Sequence, residues 1–125
     1  MTIQLEALQH NDSPSRDAGI ETTFRFASPA NRVATGPLDR FAQLVKTSVY
    51  SPMIGHRRVV ERGSMHIEGD EARQRVVISS ASGARVTYIF FLSRQHGGSY
   101  DGCWMTDGVT RFDETAPRAD GLRSA

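Results

Sequence analysis

The sequence predicts an α+β fold in which N-terminal helices lie on one face of an antiparallel sheet. Apolar residues recur at helical spacing up to about residue 45. From His56 onward the period falls to two, and short polar turns such as "EGDE" and "SASG" separate the runs. Helices first and hairpin-linked strands second is the order of an α+β domain. A chain of 125 residues suits one domain with one core. That domain is expected over 1–112. The segment 113–125, "DETAPRADGLRSA", has almost no apolar content and is expected to be a disordered tail.

The first segment carries Ile3, Leu5, Ala7 and Leu8 among good helix formers, which predicts a helix ending near His10. "NDSPSRD" is a polar turn. Asp17 is placed to cap a second helix, whose apolar face is Ile20, Phe24 and Ala27. Pro29 lacks an amide hydrogen and biases Ser28 away from helical backbone. Ser28 is also a good N-cap, so "SPANRVAT" reads as a stop and a short restart. Gly36-Pro37 repeats the device, and Pro37 opens a helix with the stripe Leu38, Phe41, Leu44 and Val45. "SVYSPMIGHR" is a loop or single turn anchored by Tyr50, Met53 and Ile54.

Four strands follow. The first holds Val59 and Val60 and continues to Met65 and Ile67 beyond a bulge or bend at Gly63. The second alternates Ala72, Gln74, Val76 and Ile78 with Arg73, Arg75, Val77 and Ser79. The third, "RVTYIFFLS", puts Val86, Tyr88, Phe90 and Leu92 on one face and adds Ile89 and Phe91 on the other, so both faces need cover. The fourth sets Trp104 and Thr106 against Cys103, Met105 and Asp107. Three short helices cover only one face, which argues for a homodimer through the other.

Composition narrows the function. Fifteen basic against 14 acidic residues leave a net charge of +1, and no nucleic-acid partner is expected. Arg57, Arg58, Arg62, Arg73 and Arg75 stand among Glu61, Glu68, Asp70 and Glu71, the mixed charge of a solvated hairpin face. No apolar run approaches the ~20 residues of a membrane helix. The N-terminal residues lack a basic region followed by an apolar block, so no signal peptide is expected. Cys103 is the only cysteine, which fits a reducing compartment and a cytoplasmic location. His10, His56, His66 and His96 are scattered without ligand spacing, so no metal is expected. "HGGS" has neither a following helix nor a lysine, and no cofactor is expected.

"FRFASPANRVATGPLDRFAQLV" together with "GCWMTDGV" resembles a family known as a domain of unknown function, over about residues 5 to 112. The element order resembles the wider nuclear transport factor two-like (SnoaL-like, ketosteroid-isomerase-like) superfamily. That resemblance implies a cone-shaped, cystatin-like fold with helices in the concavity of a curved sheet. It implies no reaction, since the superfamily includes isomerases, dehydratases, cyclases and non-enzymatic dimers.

An isomerase or lyase on this fold needs a carboxylate base and donors to a developing enolate. Asp107 and Tyr88 are the candidates, with His56 as a further donor. Asp107 in "TDG" also suits a strand-ending turn, and Tyr88 also suits a core position tied to a carbonyl. Asn31 and Arg32 lie between the two helix corners, where an arginine can clamp an anion or both can bond helix-end carbonyls. Trp104 can floor a ligand pocket or pack in a core. The expectation is therefore a ligand-binding or scaffold homodimer, with an acid/base enzyme as the alternative. Asn31, Arg32, Tyr88 and Trp104 are the candidate ligand residues.

Overall fold

A computed structural model describes residues 1–112; the tail expected at 113–125 lies outside the described residues. Helices α1 (Thr2–Gln9), α2 (Ala18–Arg25), α3 (Pro29–Thr35) and α4 (Leu38–Val45) come first. A 3₁₀ turn at Ser51–Met53 then delivers the chain to β1 (Arg58–Arg62), β2 (His66–Glu68), β3 (Glu71–Ser79), β4 (Arg85–Arg94) and β5 (Trp104–Phe112). A second 3₁₀ turn, Gly98–Tyr100, sits between β4 and β5. The strands form one open antiparallel sheet in the order β1-β3-β4-β5, with β2 also on β3. This is the α+β architecture the alternation predicts.

The single first strand expected from the sequence is two strands laid end to end along the same edge of β3. β1 pairs with residues 76–79 and β2 with residues 71–73. The extra residue is Val60, where the register shifts, rather than Gly63. Gly63 lies where the chain leaves β1, its amide donating to Arg75 O at 2.8 Å. A Cβ on Gly63 would stand 3.3 Å from that same oxygen, so the approach favours glycine.

The breakers of the helical layer act largely as read. Ser28 has extended backbone and its side chain accepts from Asn31 N, with Pro29 at the first helical position. Asp17 departs from the expectation. Its backbone is left-handed (φ 59°) and its carboxylate makes no cap bond. An N-cap side chain reaches the first-turn amides from extended backbone, which Asp17 does not have. Asn11 takes over: its Oδ1 accepts from Ile20 N and its carbonyl from Gly19 N, both at 2.8 Å. The Asp17 carboxylate instead accepts from Asn11 Nδ2 at 2.9 Å and Lys46 Nζ at 2.7 Å.

The core lies between helices and sheet. Leu5, Leu8, Ile20, Phe41, Val45 and Met53 meet Ala72, Val76, Ile78, Val86, Tyr88, Phe90 and Leu92. The outer sheet face buries Val77 and Thr87, while Phe91 and Phe112 stay exposed. Helix α3 buries no residue, and Val33 on it is 84% exposed. The chain after α2 also meets the sheet: Ala27 bridges Thr106 on the free edge of β5. Thr106 O there accepts from Ser28 N at 2.8 Å, and Thr106 N donates to Phe26 O at 3.2 Å.

Candidate functional site

Because α3 only skims the layer, the helices do not fill the space above β4 and β5. A cavity of about 330 Å³ remains, bounded by all four helices, Tyr50, Met53, Phe90 and the 106–110 stretch of β5. Apolar side chains form most of its wall: Leu8, Phe41, Leu44, Val45, Met53, Phe90 and Val109.

A few polar groups converge on one side of this wall. Gln4 is buried within α1, and its Nε2 donates to Thr23 O at 2.9 Å. Thr23 O lies in the last turn of α2, where carbonyls lack an intrahelical partner. Gln4 Oε1 accepts from Thr106 Oγ1 at 2.6 Å. On α3, Asn31 Nδ2 donates to Thr106 O at 3.1 Å. Thr35 Oγ1 donates to Asn31 O at 2.8 Å. An apolar cavity with a small cluster of placed amides and hydroxyls is the usual composition of a small-molecule site.

Sequence reasoning named Asn31 but missed Gln4, Thr23, Thr35 and Thr106. One signal was available, since Gln4 is a polar residue one helical turn from Leu8 on the face that buries. The others became legible only with the tertiary contacts.

The remaining candidates lie elsewhere. A β-bulge interrupts β5, where the pairing jumps from Leu92↔Thr106 to Phe91↔Gly108 and leaves Asp107 as the extra residue. It is among the residues lining the cavity, but it is exposed and its carboxylate accepts from Ser93 Oγ at 2.9 Å. The Tyr88 hydroxyl, in a side chain with no exposure, donates to Val49 O at 2.6 Å. His56 is buried with Nδ1 2.8 Å from Met53 O. A carbonyl only accepts, so Nδ1 carries a proton. Asp107, Tyr88 and His56 are thus held by three different partners and form no common constellation. Trp104 pairs with Arg94 and is 40% exposed, with the guanidinium 5.9 Å from its ring. Arg32 stacks on Tyr100 at 5.1 Å and is not among the residues lining the cavity.

Two charged clusters stand outside the cavity. The Arg94 guanidinium beside Asp70, with His96 next, holds the Asp70 carboxyl below the usual range. Lys46 does the same for Asp17, helped by Asn11. A groove of about 440 Å³ opens elsewhere along the sheet, lined by His66, Glu68, Glu71, Arg73, Phe91 and Asp107. Its wall is strongly polar and of both signs, so it lacks the apolar enclosure that favours a small ligand. Among the described residues no group of three His, Cys, Asp or Glu side chains is placed to hold a metal. No described helix is long and apolar enough to cross a membrane.

Comparison with curated proteins finds no match. Comparison with protein families matches residues 1–119 to a domain of unknown function, DUF4864. That match spans nearly the whole chain, and the protein belongs to the DUF4864 family.

Proposed function

We propose that this protein is a small-molecule binding domain that holds a compact, largely apolar ligand between its helical layer and its sheet. The observation that carries the reading is the 330 Å³ cavity with Gln4, Asn31, Thr35 and Thr106 gathered on one wall. Its volume is roughly twice the ~150 Å³ apolar cavity that accepts benzene, which suits a two-ring molecule. The cone-shaped, SnoaL-like relationship inferred from the element order agrees with a ligand at this place. The reading is non-enzymatic: an isomerase or lyase would need Asp107 to leave Ser93 and turn inward. An exposed, unpaired Cys103 suits a reducing compartment such as the cytoplasm.

Calorimetric titration with 2-naphthol tests the proposal. Ala34 lines the cavity yet is exposed, so Ala34→Phe fills the space with little cost to the core. One-to-one binding to the wild type that is lost in Ala34→Phe supports the reading. No binding to the wild type, or equal binding to both, overturns it.

A second reading concerns assembly. Phe91 and Phe112 stand 39% and 46% exposed on the outer face of β4 and β5, with Ile89 between them along the same face. A second copy against this strip would bury them, as a homodimer through the sheet requires. Light scattering at micromolar concentration decides it: a dimer that Phe91→Glu dissociates is expected, and a wild-type monomer rejects it.

A further inference from the structure

Resting on the ligand-binding reading, we propose that the cavity selects uncharged ligands whose head group carries a donor and an acceptor side by side, such as a carboxamide or lactam. The lining offers no charge to match an ion. Its one carboxylate, Asp107, is directed to Ser93 Oγ. An anion moved into such a wall loses its hydration and gains no counter-charge, so the site discriminates against it.

The hydrogen-bonding capacity left in the wall sets the head group. Asn31 uses one N–H on Thr106 O at 3.1 Å and keeps a second. Thr35 Oγ1 has one proton to give and two acceptors in reach, Asn31 O at 2.8 Å and Asn31 Oδ1 at 3.4 Å. The shorter bond takes the proton. Asn31 Oδ1 is therefore open to a ligand. One side-chain amide then presents a free donor beside a free acceptor, which another amide matches with two bonds. Apolar side chains opposite, Phe41, Leu44 and Val109, would hold the ligand's body.

The test uses three probes on one skeleton: naphthalene, 2-naphthamide and 2-naphthoate, titrated at neutral pH into the full chain. The amide is expected to bind at least about tenfold tighter than the carboxylate, since two bonds are gained and a desolvated charge is avoided. In Asn31→Leu the amide's advantage over naphthalene should fall by about tenfold while naphthalene itself still binds. Naphthoate within threefold of the amide, or an Asn31→Leu protein that keeps the full advantage, overturns the head-group inference and leaves the binding site standing. If none of the three probes binds, the ligand-binding reading fails with it. The wild-type ratio of amide to carboxylate needs no variant, so it decides the matter even if Asn31→Leu folds poorly.

Discussion

The Thr106–Gln4 hydrogen bond ties β5 to α1 and, through Gln4 Nε2, to the end of α2. Thr106→Val keeps the shape and removes the hydroxyl. Gln4 Oε1, in a residue 2% exposed, then loses its donor inside the cavity wall. A buried acceptor left unpaired costs about 1–3 kcal/mol, and the added methyl recovers only part of that. For a chain of this length each kcal/mol moves Tm by about 3–6 °C, so a fall of several degrees is expected. Gln4→Leu should cost more, because Thr23 O also loses its partner. The double variant removes both ends of the bond at once. Its cost should therefore undershoot the sum of the singles by about 1 kcal/mol or more in urea denaturation. Additivity within about 0.5 kcal/mol would refute the claim that these two side chains form a buried polar bridge.

Other substitutions probe the corners and the charges. Gly19→Ala would place a methyl 2.1 Å from Ala7 O, a backbone atom that cannot swing aside, so α1 and α2 must separate. The cost should reach at least about 2–3 kcal/mol, and a Tm within a degree or two of wild type would contradict the packing described. Ser28→Ala removes the α3 cap and should cost about 1 kcal/mol in chemical denaturation, whereas Ser28→Thr retains most of it. Asp70 has a folded pKa below its unfolded value, so its pairing with Arg94 and His96 stabilises the fold above about pH 4 and is lost as pH falls through the folded value. Asp70→Asn should flatten that acid limb. NMR titration showing the Asp70 carboxyl at or above about 3.9 would count against the cluster.

The fold was legible because its signals are local. Pro29 and Pro37 lie one at the start of α3 and one just before α4, and neither depends on a distant partner. The alternation of β3 and β4 likewise groups Val76 with Ile78 and Tyr88 with Phe90 on one face of each strand, and that face meets the helices. Asp17 misled for a local reason as well. Aspartate is a common cap, but this one adopts a left-handed backbone, and its role passes to Asn11 across the turn. The site was far less legible. Thr106 meets Gln4 across 102 positions of sequence and Asn31 across 75, and no spacing rule links residues so far apart. Chemistry-rich side chains such as Asp107, His56 and Arg32 drew attention, whereas the cavity is lined by plain amides and hydroxyls. Asp107 lies on the Met105 face that alternation assigns it, bonded to Ser93 Oγ, whereas strand parity alone could not reveal the bulge there.

The central claim is that the space between helices and sheet is a binding site. Amide and methyl NMR spectra recorded while 2-naphthamide is added to the full chain test it most directly. Saturable shifts gathered on Thr23, Asn31, Ala34, Thr35 and Val109 are the expected result, with Phe91 and Phe112 on the outer face unmoved. Shifts confined to that outer face, or none at millimolar probe, would contradict it.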